Sequence, residues 1–275
     1  MDTNEQHKLL TPNTIKATDM ADWLLSNGIS SATTEELARM LGIPKNHVRQ
    51  RMVPLVKRKE IISPARGLWV PVPQEYRQWG APEALLYIDS LMKHLSTDYY
   101  LGWMTAAALY GASHHASQVF QVAVSKQTRN RRVGRSDLEF YQRNNVGKLP
   151  TTRTITQTGY VIVSTRAATM LSVADDTNIV GGLDNAANLI IELSDTNEQI
   201  IGEIVRCAEF FPISALRRLG WILDTLAEYQ QLEPLQAVSE QSQVHLSKLS
   251  MYHPNKYRVN QKWSLDINTE VVPDI

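Results

Sequence analysis

Apolar positions along the chain fall into a helical start, a hairpin, a mixed middle and a long helical rear. Met20, Trp23 and Leu24 recur at helical spacing, and Asn27-Gly28 stops the run just before Ile29. In TTEELARMLG, Leu37, Met40 and Leu41 form one face. Thr33 and Glu36 make a capping box, which predicts a helix from about Thr34, and Gly42 ends it. Ile43-Pro44 is a turn, with Pro44 suited to the first position of the next helix. In KNHVRQRMVPLVKRK, Val48, Met52, Leu55 and Val56 form a core stripe. Lys45, Asn46, Arg49 and Gln50 then fall on the opposite face, and Pro54 predicts a kink. EIISPARGLWVPV predicts a β-hairpin: Ile61 and Ile62 in one arm, Leu68, Trp69 and Val70 in the other, and residues 64–67 at the bend.

Beyond the hairpin, PVPQEYRQWGAP carries the Pro and Gly punctuation of a linker. A helix is expected from about Pro82 to Leu95, then a small-residue helix in LGWMTAAALYG. QVFQVAV, LEFYQ, TRTITQ and YVIVS alternate as strands, the last two around Thr158-Gly159. From Thr165 to about Gln243 the pattern is helical, broken at Gly181-Gly182 and Pro212. HLSKLS and WSLDIN close the chain as strands. The expected class is α+β. The expected division is a flexible N-terminus (1–17), a winged helix-turn-helix (18–72), a linker (73–80) and a larger mixed α/β domain (81–275).

Composition changes this picture little, because 28 basic residues balance 28 acidic ones. Distribution changes it more. From Arg39 to Arg66 eight basic residues face Glu60 alone, a net of +7. From Lys126 to Arg143 six basic residues face two acidic ones, a net of +4. From Asp175 to Glu240 twelve acidic residues face three basic ones, a net of −9. Two basic blocks in a neutral chain suit a polyanion partner; each also fits a solvated face. The lone Cys207 has no intramolecular partner and reads as a small core residue of a reducing compartment. The N-terminus lacks a signal-peptide layout, and no apolar run approaches the ~18 residues of a membrane span, so a cytoplasmic location is expected.

The chemistry concentrates in the second helix of the helix-turn-helix. Its exposed start carries Lys45, Asn46, His47, Arg49, Gln50 and Arg51. A helix fits the major groove, where Asn and Gln pair with adenine and Arg with guanine. Lys57, Lys59 and the wing residue Arg66, with Arg58 between the lysines, suit backbone phosphates. A winged helix used only for protein contacts remains the alternative. The second block, Lys126, Arg129, Arg131, Arg132 and Arg135, reads as a polyanion-binding loop between strands or as a charged hairpin. His114 and His115 are adjacent and lack a third ligand, so no metal is expected. Asp175-Asp176 reads as a helix-start pair. Phosphate-loop, zinc-protease and nucleophile-elbow motifs are absent, so neither an enzyme nor a cofactor is expected.

With the winged helix, several segments resemble the AbiEi antitoxins. They are YYLGWMTAAALYGASHHASQVFQVAV (99–124), GRSDLEFY (134–141), GGLDNAANLIIEL (181–193), ALRRLGWILDTL (215–226) and WSLDINTEVVPDI (263–275). Arg166-Ala167 stand where relatives would carry a Pro-Glu pair. The resemblance implies an antitoxin of a type IV toxin–antitoxin, phage-defence system. Its N-terminal domain would bind an inverted-repeat operator and repress its own operon. Its C-terminal domain would counter a nucleotidyltransferase-like toxin, with or without a stable complex, and the second basic block would be its antitoxin surface. The chain itself lacks the G-S and D-x-D pattern of a nucleotidyltransferase. A plain winged-helix regulator with a ligand-sensing C-terminal domain, or an enzyme with an unrecognised site, would share the same front end.

Overall fold

The structure, a computed structural model, describes residues 15–112, 119–194, 199–243, 246–254 and 258–274. The helices are α1 (Met20–Ser26), α2 (Thr34–Leu41), α3 (Lys45–Lys57), α4 (Ile88–His94), α5 (Trp103–Leu109), α6 (Arg166–Asp175), α7 (Leu183–Ser194), α8 (Ile200–Cys207), α9 (Ile213–Thr225) and α10 (Glu233–Glu240). The strands are β1 (Ala32–Thr33), β2 (Ile61–Ala65), β3 (Leu68–Pro71), β4 (Tyr99–Leu101), β5 (Val119–Val124), β6 (Arg131–Val133), β7 (Ser136–Gln142), β8 (Thr151–Thr156), β9 (Gly159–Ser164), β10 (Ser247–Lys248), β11 (Arg258–Asn260) and β12 (Leu265–Ile267). Helix and sheet are thus mixed along the chain, and the class is α+β. Contacts divide the chain into two units. One holds Met1–Thr97, Arg129–Glu139 and Ile155–Val161; the other holds Asp98–Thr128, Phe140–Thr154 and Ile162–Ile275.

In the first unit α1, α2 and α3 close over a three-stranded sheet of order β1-β3-β2, antiparallel throughout. Met20, Leu24, Leu37, Met40, Val48, Met52, Leu55 and Ile61 fill its core. The capping box is formed. Thr33 Oγ1 accepts from the Glu36 amide at 3.2 Å, and the Thr33 amide donates to Glu36 Oε2 at 2.7 Å, so α2 begins at Thr34. Gly42 ends it in the left-handed region, at φ 63°. Trp69 of β3 ties the sheet to α2 by donating its indole N–H to Thr34 Oγ1 at 2.9 Å.

Four local expectations are corrected here. Pro44 is the N-cap of α3 and the helix begins at Lys45, because Pro44 keeps an extended ψ of 142°. Val56 is exposed: at about 100° per residue it lies well off the stripe centred on Val48, Met52 and Leu55. The bend of the hairpin is only Arg66-Gly67, since β2 absorbs Ser63 and Pro64 as an irregularity between Ile62 and Ala65. The helix expected from Pro82 is a short 3₁₀ turn (Ala84–Leu86) followed by α4, because Tyr87 leaves helical geometry at φ −134°.

The second unit is built round α6, which is buried from Ala167 to Ala174 and packs against α5, α7, α8 and α9. Its residues are small or apolar on every side, as burial on all faces requires. Cys207 closes α8 in the same core, 3% exposed, and burial pushes its thiol above the usual range. β4 lies antiparallel to β5 and parallel to β9. A small sheet of the second unit has the order β10-β12-β11, and in the first unit β6 pairs antiparallel with β7. Among the described residues no helix is long and apolar enough to cross a membrane.

Candidate functional site

α3 presents a polar face because its three buried residues take one side only. Asn46, Gln50 and Lys57 stand opposite that stripe. Lys45 and Arg49 flank it on one side and His47 and Arg51 on the other; all seven are exposed. Pro44 offers no side-chain cap, and the His47 amide closes the first turn of α3 on the Pro44 carbonyl at 2.9 Å. Lys45 is engaged by the Glu35 carboxylate of α2. Hydrogen bonding from Lys45 lowers the Glu35 pKa. Past the helix, Arg58 is chelated by Glu60 at 2.9 and 2.8 Å, and that contact lowers the Glu60 pKa. Lys57 and Lys59 remain exposed on either side, Lys59 in the left-handed region at φ 59°. Arg66 is exposed at the hairpin tip, and its carbonyl lies 3.0 Å from His94 Nε2.

The second basic block is half strand and half loop. Lys126 and Arg129 are exposed before β6, which then carries Arg131 and Arg132; Gly134 and Arg135 make the turn into β7. In the first unit Arg131 is half-buried and donates Nη1 to the Pro64 carbonyl of β2 at 2.8 Å. Arg132 Nε is 3.7 Å from Asp137 Oδ1, and the Arg135 guanidinium lies 5.6 Å from the Trp79 ring centroid. Gly134 is required there. It has φ 59°, and a Cβ would sit 2.7 Å from Ala81 Cβ and 2.9 Å from the Trp79 carbonyl. Of the two readings, the structure shows the hairpin, anchored at Arg131 and Gly134, with Lys126 and Arg129 in the segment that leads into it.

Asp175-Asp176 is corrected as well. The pair ends α6 instead of starting a helix, with Asp176 at the C-cap. Asp176 Oδ2 accepts from Arg143 Nη2 at 2.6 Å and from the Trp103 indole N–H at 3.0 Å. Burial, then the neighbouring Asp176, pushes the Asp175 carboxyl up to about 6. Sequence reading missed these partners because Trp103 and Arg143 are far from Asp176 along the chain. His114 and His115 lie outside the described residues. Among the described residues no group of three His, Cys, Asp or Glu side chains could hold a metal ion.

No curated protein sequence matches the chain. The crystal structure of the RV2827C protein from Mycobacterium tuberculosis is similar over 93% of this chain and 92% of that one. The TM-score is 0.66 at 13% identity, a likeness of fold. Residues 100–225 match the family described as the AbiEi antitoxin C-terminal domain. That span runs from β4 to the end of α9 and includes the GGLD and RRLG segments. Residues 100–225 of the chain are therefore similar to an AbiEi antitoxin C-terminal domain.

Proposed function

We propose that this chain is the cytoplasmic antitoxin of a type IV, phage-defence toxin–antitoxin system. It binds an inverted-repeat operator through α3, represses its own operon, and counters a nucleotidyltransferase-like toxin through the AbiEi domain. The role is regulatory, with no catalytic step. The observation that carries the DNA half is the outer face of α3. Asn46, Arg49 and Gln50 are base-reading side chains in adjacent turns, on a helix backed by a packed core and followed by a hairpin with Arg66 at its tip. This order of helix, strand, two helices and hairpin reads as a winged helix-turn-helix. The antitoxin half rests on the family match. Arg49→Ala with Gln50→Ala tests the reading, with binding measured by fluorescence anisotropy on the DNA upstream of the gene and on shuffled DNA. The expected result is a flattened preference, since removing each two-pronged base pairing takes away about 1–3 kcal/mol of discrimination. An undiminished preference would exclude α3 as the reader.

A second reading concerns the β6–β7 hairpin. Arg131 fastens it to the wing strand through the Pro64 carbonyl. That bond favours Arg129, Arg132 and Arg135 as further phosphate contacts on the same DNA over a surface aimed at the toxin.

A further inference from the structure

The second unit holds a cleft of ≈ 210 Å³ in which the aromatic side chains of Tyr100, Trp103, Phe210 and Phe211 stand beside polar ones, Arg143 and Asp176 among them. Asp175 and Asn145 also line it. Both bring hydrogen-bond acceptors that the protein leaves unused. Asn145 Oδ1 is buried with no hydrogen-bond partner, and among the described residues no donor reaches the Asp175 carboxylate. Arg143, which lines the cleft, and Arg218 both act on Asp175 through their charge, but each gives its N–H groups to other acceptors. Arg143 is held by Asp176 at 2.6 Å and lies 5.1 Å from the Trp103 ring centroid. Arg218 is buried and gives its N–H groups to the carbonyls of Ala174, Lys248 and Leu249.

Burying an acceptor such as Asn145 Oδ1 without a donor is costly, so its pairing falls to whatever enters the cleft, where the half-buried Asp175 carboxylate also stands. The occupant must bring donors. A carboxylate or phosphate would meet the Asp175 carboxylate with like charge, Asp176 being paired with Arg143. A compact ammonium could pair with Asp175 but would present no flat face to the rings. A planar group with two adjacent N–H donors does both, giving a carboxylate a two-pronged, charge-assisted contact while stacking on aromatic walls. We propose that this cleft binds such a group, a guanidinium or the N1–H/N2–H₂ edge of guanine, with Asp175 as the paired acceptor and the aromatic side chains as its walls. The site stands independently of the DNA-binding face and of the antitoxin role.

Calorimetric titration of the full chain tests it, using agmatine and guanosine as probes and putrescine and adenosine as controls. Agmatine or guanosine is expected to saturate one site, with both controls at least roughly tenfold weaker. Asp175→Asn is expected to weaken the probe by roughly tenfold or more, as loss of a charge-assisted pair should. Phe211→Ala, which removes a wall and leaves every acceptor in place, is expected to weaken it several-fold, and it carries the test if the Asp175 variant does not fold. Binding of agmatine alone would assign the site to an arginine side chain of a protein partner. Binding of guanosine alone would assign it to a guanine base. Saturation by neither probe, equal affinity for the controls, or unchanged affinity in both variants would overturn the proposal.

Discussion

Gly220 sits in the middle of α9, where glycine is a poor helix former, because an indole fills the space beside it. A Cβ there would overlap the Trp263 ring. Trp263 is fully buried and donates its indole N–H to Asp224 Oδ2 at 2.9 Å. The RRLG segment and the closing WSLDIN segment therefore pack against each other. Arg217 and Arg218 extend the point: both are 2% exposed, Arg217 donating to Ser239 and Ser247 and Arg218 to backbone carbonyls. We expect Gly220→Ala to destabilise the fold by up to about 2 kcal/mol, overpacking of about 1–3 kcal/mol outweighing the ~1 kcal/mol of helix propensity gained. Denaturant unfolding checks this, and an unchanged midpoint would mean that the Trp263 ring can shift. Asp175 gives a prediction of opposite sign. Its folded pKa of about 6 exceeds the ordinary 3.8, so the fold favours the protonated carboxyl. Its contribution to stability is fully present below about pH 3.8 and is lost as pH rises through about 6. Asp175→Asn, uncharged at every pH, should melt above the wild type near pH 7.5, the two converging as pH falls towards 4. A gap that does not narrow would mean that the carboxyl is not desolvated.

Elements with a long local signature were legible in the sequence, and those created by distant contacts were not. The capping box fixed the start of α2, and alternation found β5, β7, β8 and β9. β1 is two residues long and exists only because Ala32 and Thr33 pair with Trp69 and Leu68, so no local pattern could announce it. β4 is buried at all three positions and shows no alternation. The same rule holds at the candidate site. Helical periodicity places the polar face of α3 correctly, and it misplaces Val56 because one residue of helix rotation separates flank from core. Arg131 looked like its neighbours in RNRRVGR; the acceptor that commits it, Pro64, is 67 residues away. The wing yields a prediction at this scale. Arg66 is exposed at the tip beside Gly67, whose φ is 90°. If it meets one phosphate, Arg66→Ala should weaken operator and random DNA alike. The slope of log affinity against log salt should become shallower by about 0.9. An identical slope in anisotropy titrations would remove Arg66 from the interface.

At the scale of the molecule, the grouping of Arg129–Glu139 and Ile155–Val161 with the N-terminal residues matters most, because it makes the first unit discontinuous in sequence. Sequence order alone could not show this, since the residues responsible are joined by bonds such as Thr158 Oγ1 to the Leu86 carbonyl at 2.7 Å. A truncation after the hairpin would therefore strip packing as well as function, and point variants in the full chain separate the two proposed roles more cleanly. On the proposed function, the Arg49→Ala, Gln50→Ala variant should lose operator preference and still rescue cells expressing the proposed toxin, since both residues are exposed on α3 and contribute nothing to the packed cores. Arg129→Ala, Arg132→Ala and Arg135→Ala together should decide what the second basic block does. Arg131 is left intact because its bond to Pro64 holds the hairpin. If the block meets phosphate, the triple variant keeps full rescue and binds DNA with a salt slope shallower by up to about 2.7, roughly 0.9 for each phosphate no longer neutralised. If it is the antitoxin surface, rescue disappears while the salt slope is unchanged. Growth on toxin induction and anisotropy across a salt series, run on the same variants, distinguish these outcomes. Failure of the folded wild type to rescue would reject the antitoxin role and leave a DNA-binding regulator.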